Sequence, residues 1–416
     1  MFLSREPFYA LPVCCATSAA HFASRLAGVP YMRYQLPMQK GNSHGPIWLN
    51  VGEASGDLHG AELMKSLKEI HPDAEFTGMG GSAMEAEGMD VRYSMKLISL
   101  VGITEILGGL PRILALLGKI KRTLAEVRPR AIILIDCPEF NFRVAKIAKK
   151  LGIPVYYYIS PQIWAWRSGR ANFLREHVRK VICILPFEKA FYEKYGMEVE
   201  YVGHPLMDVL PFEELDRIPV QENRIGLLPG SRGKEVSSLL PEFAGAARIL
   251  QKTHPDLHYV IVRAPGMEKE RLLSLWPEDI PVEIVEPADR YAVFRSCKFI
   301  MAASGTVTLE TALIGTPVLV AYQVSAISML VAKALVKVDF CSLPNLIMGR
   351  EVYPEFLQEK AQADVLAHAA GKWLDDDDAY AGVKWELIEL RSMVGNPGAA
   401  LRAAKIIIED LIELGM

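Results

Sequence analysis

The sequence predicts an α/β protein made of two doubly wound domains that face each other across a cleft. Three observations predict this class. Short apolar runs alternate with helical patterns from residue 47 onward, the same rhythm restarts after a polar stretch at 208–223, and each half opens with a glycine turn. Such alternation is typical of a parallel sheet covered by helices on both faces. The chain of 416 residues is also longer than one hydrophobic core usually organises.

Six strands and six helices are predicted in the first half. The strands are expected at 47–51, 75–79, 131–135, 154–159, 180–184 and 199–202. The helices are expected at 57–70, 82–88, 104–127, 141–151, 168–178 and 187–195. The stretch 208–223 is rich in acids and prolines, which is typical of a linker.

The second half repeats this organisation. Its strands are expected near 224–228, 258–263, 282–285, 298–302 and 317–320, and the last forty residues are expected to be helical only. Each half also carries His-Pro-Asp, at 71–73 and at 254–256, about twenty residues beyond its glycine turn. Proline cannot continue a helix, so these are stop signals at equivalent places. Two such domains would bind a ligand between them, at the carboxyl ends of both sheets.

Four segments follow from these patterns: a leader at 1–45, a first domain at 46–206, a second domain at 207–384 and C-terminal helices at 385–416. The leader carries four basic residues against one acid and has no apolar centre followed by a cleavage site. It is interpreted as an over-long gene start rather than a targeting peptide. The C-terminal helices are expected to pack either on the first domain or on a partner subunit, which would give a homodimer.

Composition limits the class of protein. The net charge is −3, and no helix-turn-helix, zinc-finger or aromatic RNA-binding signature occurs, so no nucleic-acid partner is expected. The six cysteines show no CxxC spacing, which argues against a metal site and for a reducing compartment. No apolar run reaches the roughly 18 residues of a spanning helix. We therefore expect a cytoplasmic protein with no metal and no cofactor.

The first glycine turn, VGEASGD (51–57), carries two acids, Glu53 and Asp57. A phosphate-binding turn offers backbone N–H groups and usually avoids anions of its own. A third acid, Asp136, ends the apolar run 131–135 and so belongs at the carboxyl end of a strand. Glu53 is expected to reach the same place, where two acids would raise the proton affinity of one of them. Asp57 is explained by a role at the helix start.

The second glycine turn, LLPGSRGKEV (227–236), combines glycine, a hydroxyl and cations. Gly230, Ser231 and Arg232 would offer N–H groups, an O–H and a guanidinium to a diphosphate. The alternative is a plain helix cap with Arg232 in solvent. The turn is neither a Walker motif nor GxGxxG, so it does not indicate ATP or NAD.

A further strand-to-helix turn is ASGTVTLE (303–310). Gly305 and Thr306 would place N–H groups and a hydroxyl at a helix start, and Glu310 falls on the same side of the helix by i,i+4 spacing. A carboxylate there can accept hydrogen bonds from a ribose. In the alternative interpretation Thr306 only caps the helix and Glu310 is a surface charge.

Seven segments, in order along about 46–416, resemble the lipid-A-disaccharide synthase family. They are VGEASGD, SPQIWAWR (160–167), LPFEKAFYEKYG (185–196), VGHPL (202–206), LLPGSRGKEV, ASGTVTLE and SLPNLIMGR (342–350). Members of this family are inverting glycosyltransferases with two Rossmann-like domains, the GT-B architecture. The resemblance implies transfer of diacylglucosamine from UDP-diacylglucosamine to the 6-hydroxyl of diacylglucosamine 1-phosphate. The product is the β-linked disaccharide precursor of lipid A.

The resemblance also implies roles for particular residues. The functional positions of the family fall on Glu53, Asp136, Arg232 and Asn345, while Glu139 stands where a shorter Asp is expected. Asp136 is our hypothesis for the base that deprotonates the acceptor hydroxyl, and Glu53 would orient the acceptor. The exchanged assignment stays open.

Contacts to the two substrates complete the expected site. Ser55, Gln162 and Trp164 are expected to contact the acceptor, with core or loop positions as the alternative for the last two. The UDP-sugar is expected to bind Gly230, Ser231, Arg232, Gly305, Thr306, Glu310 and Asn345.

The acylated substrates imply a membrane surface. The segment 97–122 is apolar, is interrupted by the pair Gly108-Gly109 and by Pro111, and is followed at its edge by Lys119, Lys121 and Arg122. This pattern suits peripheral attachment to an anionic inner leaflet. The alternative is an ordinary buried helix.

Three other functions are weighed against this one. A non-hydrolysing epimerase shares the GT-B fold but needs no lipid-facing surface and no second sugar. An NAD-dependent oxidoreductase would need GxGxxG after a first strand, which GEASGD is not. A non-catalytic nucleotide sensor would not need paired acids facing a cation-rich domain.

Overall fold

The computed structural model describes residues 45–99, 106–323 and 338–416. Almost the whole leader and residues 100–105 of the expected membrane segment lie outside the described residues.

In the described part of the chain, the first half forms a seven-stranded parallel sheet with the order β3-β2-β1-β4-β5-β6-β7. Its strands are β1 Ile47–Asn50, β2 Phe76–Gly80, β3 Asp90–Ser94, β4 Ala131–Ile135, β5 Val155–Tyr158, β6 Lys180–Cys183 and β7 Glu200–Tyr201. The strand order reverses at β1, and the central neighbour β4 is fully buried. Such a switch point is where doubly wound sheets bind their ligands.

The helices of the first half cover this sheet. They are α1 Ala54–Ile70, α2 Ser82–Ala86, α3 Lys96–Ser99, α4 Ile106–Val127, α5 Pro138–Leu151, α6 Ile163–Trp166, α7 Ala171–His177 and α8 Glu188–Glu193. Two short helices, α9 Leu206–Val209 and α10 Phe212–Leu215, lie in the stretch that was expected to be a linker.

The second half forms a six-stranded parallel sheet in the described residues, with the order β10-β9-β8-β11-β12-β13. Its strands are β8 Gln221–Leu228, β9 His258–Val262, β10 Val282–Val285, β11 Cys297–Ala303, β12 Val318–Tyr322 and β13 Glu355–Leu357. Its helices are α11 Gly233–Leu250, α12 Lys269–Ser274, α13 Arg290–Ser296, α14 Thr306–Ile314, α15 Leu343–Met348, α16 Ala363–Asp375 and α17 Asp377–Val394. Two parallel α/β domains are thus present, which confirms the predicted fold class.

Strands missing from the prediction lie at the sheet edges. β3 exposes alternate residues, and β13 is three residues long with no buried member. The prediction depended on apolar runs, which arise where both faces of a strand are covered. Edge strands are half solvated and lose that signal.

The last helix, α18 (Ala399–Glu413), packs against α1 of the first half. Its buried Asp410 accepts a hydrogen bond from the Tyr156 hydroxyl at 2.6 Å and pairs with the Arg179 guanidinium. Asp208 caps the start of α18 through the backbone N–H groups of Gly398 and Ala400. The chain therefore returns to its first domain after completing the second.

Candidate active site

The first glycine turn brings Glu53 beside the end of β4. Glu53 is the N-cap residue of α1, yet its side chain makes no capping hydrogen bond and is exposed. A Cβ on Gly52 would lie 2.3 Å from the Cys137 Sγ. Only glycine therefore allows the two turns to approach this closely.

Asp136 and Cys137 form an unusual turn at the end of β4. Both adopt left-handed backbone conformations, with φ of 45° and 47°. Two consecutive non-glycine residues in this region store strain that the surroundings must hold. The Tyr157 hydroxyl and the Asn141 amide both donate to the Asp136 carbonyl, at 2.7 and 2.6 Å. Strained turns held in this way cluster at active sites.

The surroundings of the Asp136 carboxyl shift its pKa toward neutral pH. Burial, and then the charge of Glu53, raise its pKa to about 6, and the Cys137 backbone N–H partly opposes this. Because a general base works best when its pKa lies near the working pH, this environment suits Asp136 to that role.

A cavity of about 270 Å³ opens at these two acids. Its lining is mixed, with acids, cations, an amide and an indole. The lining residues are Glu53, Asp136, Cys137, Pro138, Pro161, Gln162, Ile163, Trp166, Arg167 and Arg170. The volume is close to the lower end of the roughly 300–1,000 Å³ typical of small-molecule sites.

Asp57, the second acid of the turn, has a structural role. Its buried carboxylate accepts hydrogen bonds from the backbone N–H groups of Gly81 at 2.7 Å, Ala83 at 2.9 Å and Met84 at 3.4 Å. It thus caps α2, the next helix, rather than its own. Of the two acids in this turn, Glu53 is therefore the one available for chemistry.

The three residues that were expected to contact the acceptor do not lie together in the structure. Gln162 lines the cavity, whereas Ser55 is exposed on the first turn of α1 and does not line it. Trp164 does not line it either, because its buried indole N–H donates to Glu188 at 3.3 Å. Trp166, two residues further on, takes the place expected for Trp164. The short helix α6 turns the two indoles in different directions.

The second glycine turn is held by its own helix. Arg232 is the N-cap of α11, and its side chain is 80% exposed. The Glu235 carboxylate accepts from the backbone N–H groups of Ser231 and Arg232, both at 3.3 Å. Gly230 has φ of 110°, and a Cβ there would lie 2.7 Å from that carboxylate. An anion therefore already lies where a phosphate was expected.

The turn after β11 lies beside it, at the end of the neighbouring strand. Gly305 and Thr306 open α14 and are exposed. The Glu310 carboxylate is paired with the Arg290 guanidinium at 3.5 Å. Burial raises the pKa of Glu310, while Arg290 and the Tyr291 hydroxyl oppose the change.

Asn345 is the expected UDP-binding residue whose position differs most from expectation. It is fully buried, and its amide donates to the Tyr353 carbonyl and to the Glu355 carboxylate, both at 2.8 Å. Its oxygen accepts from the Val352 and Tyr353 N–H groups. All its hydrogen-bonding capacity is used within the protein. Asn345 is turned inward at the start of α15, and its hydrogen bonds hold the loop 352–355.

Sequence reasoning missed Arg167, Arg170 and Glu235. The two arginines lie three residues apart and both line the cavity. A signal was present, because both arginines belong to the segment that follows β5, the same segment that carries Gln162. Glu235 was visible as the acid three residues after an N-cap, which is the pattern of a capping box.

The two halves define a class of protein. One parallel α/β domain has paired acids at its strand ends, and the other has glycine and arginine turns there, which is the organisation of a two-domain enzyme acting on nucleotide-activated sugars. Solved structures share the fold. The UDP-GlcNAc 2-epimerase from Neisseria meningitidis bound to UDP-GlcNAc matches with a TM-score of 0.59 and 12% identity, over 88% of this chain and 100% of that one. CalG4, the calicheamicin glycosyltransferase, matches with a TM-score of 0.58 and 13% identity, over 89% and 99%.

Sequence comparison identifies the family. The model of the lipid-A-disaccharide synthetase family matches residues 47–394. The lipid-A-disaccharide synthase of Myxococcus xanthus is 38% identical over 88% of this chain and 97% of its own length. That of Persephonella marina is 35% identical over 87% and 98%. The chain belongs to the lipid-A-disaccharide synthetase family and is a glycosyltransferase of lipid A biosynthesis. The epimerases share only the fold, so the epimerase alternative is not favoured.

Proposed function

We propose that this chain condenses UDP-2,3-diacylglucosamine with 2,3-diacylglucosamine 1-phosphate. The products are the β-1,6-linked disaccharide 1-phosphate and UDP. The observation that carries the proposal is the cavity in which Asp136 and Glu53 meet at the switch point of the first sheet. Family membership supports the same substrates.

Asp136 is the proposed base. It takes the proton of the acceptor 6-hydroxyl while that oxygen attacks the anomeric carbon of the donor sugar. The bond from this carbon to the UDP oxygen breaks, and UDP leaves with the electron pair. Attack from the face opposite UDP inverts the anomeric centre. Glu53, which also lines the cavity, orients the acceptor and keeps the proton affinity of Asp136 high. The exchanged assignment of the two acids stays open to the same experiments.

The donor is proposed to bind the turns of the second domain. The diphosphate would displace the Glu235 carboxylate from the N–H groups of Ser231 and Arg232, and the Arg232 guanidinium would then stabilise the charge on departing UDP. Gly305, Thr306 and Glu310 would contact the ribose. Asn345 is proposed to act indirectly, through the loop that it holds.

Membrane attachment is proposed at α4 and the residues before it. Leu97 and Leu114 are 51% and 56% exposed, and the cations that follow are exposed as well. On the inner side of α4, Leu116 and Ile120 belong to the core. Such a helix would bind an anionic leaflet through one face only. No helix among the described residues is both long and apolar enough to cross a bilayer. Because both proposed substrates are acylated, the chain is proposed to act at the cytoplasmic face of the inner membrane.

A homodimer is proposed through α17. Because α18 packs on the first domain, the exposed face of α17 with Trp385 and Ile388 is the part of the C-terminal helices that would meet a partner.

The direct test is incubation of the protein with UDP-2,3-diacylglucosamine, with and without the sugar-phosphate acceptor. Disaccharide and UDP should form in equal amounts, and only when both substrates are present. Conversion of the donor sugar in the absence of acceptor would instead indicate an epimerase.

A further inference from the structure

The cavity of the first domain is lined by two chemically different groups of side chains. Glu53 and Asp136 supply carboxylates from β1 and β4, and Arg167 and Arg170 supply guanidinium groups from the segment after β5. Proton abstraction explains the acids but not the arginines. A pair of arginines in a cavity of this size is typical of a site for a phosphate or a carboxylate.

Both guanidinium groups are held in place from behind. Arg167 and Arg170 contact the same oxygen of Glu139, at 2.5 and 2.8 Å, and Glu139 is not part of the cavity lining. The Arg167 guanidinium also lies 4.0 Å from the centre of the Trp166 ring. Each guanidinium has five N–H donors, so these contacts leave donors that can be aimed into the cavity.

The single charge of Glu139 does not cancel the two positive charges that it pairs with. One carboxylate, Glu139, serves two cations, and Arg143 donates to the Glu139 backbone carbonyl. Burial would raise the pKa of Glu139, but the hydrogen bond from Arg170 and the charges of Arg170 and Arg167 lower it overall. The carboxylate is therefore anionic and fixes both arginines as a unit.

The geometry points to Arg167 and Arg170 as the subsite for the 1-phosphate of the acceptor. This inference rests on the proposed function. An acceptor with a reacting hydroxyl at C6 and a phosphomonoester at C1 has its two polar ends on opposite sides of the sugar ring. A phosphomonoester carries a charge of about −1.5 to −2 at neutral pH, so Glu53 and Asp136 repel it and the arginines attract it. Anchoring the phosphate thus directs the 6-hydroxyl to the acids.

The cavity volume also indicates which part of the acceptor is held here. About 270 Å³ suits a sugar phosphate headgroup, whereas two acyl chains must extend beyond it. Discrimination between phosphorylated and unphosphorylated acceptors therefore depends on the headgroup contacts, which the two arginines dominate.

The test compares two acceptors, diacylglucosamine 1-phosphate and the same lipid without phosphate, in the wild type and in Arg167→Gln, Arg170→Gln and the double variant. The readout is the ratio of kcat/KM for the two acceptors. This ratio should fall about 10-fold or more in each single variant and further in the double variant. The KM for the UDP-sugar should not change. Because both values come from one preparation, partial unfolding cancels in the ratio.

Arg175→Gln is the matched control. Arg175 is an exposed arginine on the neighbouring helix, donates to the Tyr195 carbonyl and does not line the cavity. Its ratio should stay at the wild-type value. A wild-type ratio in the double variant would overturn the phosphate subsite, as would a loss of UDP-sugar affinity in place of acceptor affinity. If the wild type itself forms no disaccharide from either acceptor, the proposed function fails and the subsite fails with it.

Discussion

The two glycine turns that open the helices after β1 and β8 are built alike and present opposite charges. Each follows the first strand of its sheet and places a glutamate near a helix start. Glu235 folds back on the N–H groups of its own turn, whereas Glu53 makes no such bond and lines a cavity. A carboxylate that accepts hydrogen bonds from backbone N–H groups is already engaged within the protein. A carboxylate without such bonds is available to a substrate. In the first turn, Asp57 rather than Glu53 accepts hydrogen bonds from backbone N–H groups.

The largest effect is expected from Asp136→Asn. Loss of the base should lower turnover by about 10²–10⁴-fold and leave acceptor affinity nearly intact, because an amide retains the shape but not the basicity. Steady-state kinetics and a separate binding measurement check this. If Glu53→Gln shows that pattern and Asp136→Asn mainly weakens binding, the two roles are exchanged.

The pH profile follows from the same carboxyl. The base acts when deprotonated, and its pKa is raised to about 6, so kcat/KM should rise with pH up to about 6 and then level off. Glu53→Gln removes a charge that raises this pKa and should move the rising limb to lower pH. A limb that does not move would indicate that the two acids do not interact.

The next effect is expected from Arg232→Ala in the second turn. Removal of a main donor to the leaving group should lower kcat by about 10²-fold and weaken UDP binding. Kinetics and calorimetric titration with UDP measure the two quantities. Unchanged values for both would exclude Arg232 from the site.

Asp57→Ala separates structure from chemistry within the first turn. It leaves three backbone N–H groups near the start of α2 without their acceptor, which should cost about 2–3 kcal/mol of stability. Urea denaturation measures this loss. Activity of the folded variant should remain close to that of the wild type, and a selective loss of turnover would give Asp57 a chemical role.

The smallest effect is expected from Glu235→Gln. The amide oxygen can still accept the two N–H groups, so α11 should persist, but the charge that competes with a diphosphate is gone. UDP affinity should therefore increase by about 2–5-fold. Weaker binding would mean that Glu235 helps to hold the nucleotide.

The sequence predicted the fold where both faces of a strand are covered. β4 and β11 are buried along their whole length and carry apolar runs that were visible, whereas the solvated edge strand β3 was not. In the site, the rule that ligands bind at carboxyl ends of strands was enough to predict that Asp136 and Glu53 meet. The directions of side chains in short helices could not be predicted, because neighbouring residues of α6 differ in burial for reasons of tertiary packing. The sequence therefore does not distinguish Trp166, which lines the cavity, from Trp164, which is buried beside Glu188.

Asn345 illustrates a second limit of prediction from the sequence. A buried amide and a ligand-binding amide have the same sequence pattern, and only the partners around them distinguish the two. Glu355, which lies ten residues away and accepts the Asn345 amide, is recognisable as its partner only in the folded chain.

The return of α18 to the first domain has a mechanical consequence. The chain passes between the two domains twice, near Leu206 and again near Asn396, and the two passages are tied together by Asp208 at the start of α18 and by Arg402, which donates to the Val202 and Asn396 carbonyls. Two adjacent chain segments that are hydrogen-bonded to each other act as a hinge with one axis and do not behave as a loose tether. We therefore expect any movement of the turn of Glu53 relative to the turn of Arg232 to be a rotation about these two crossings.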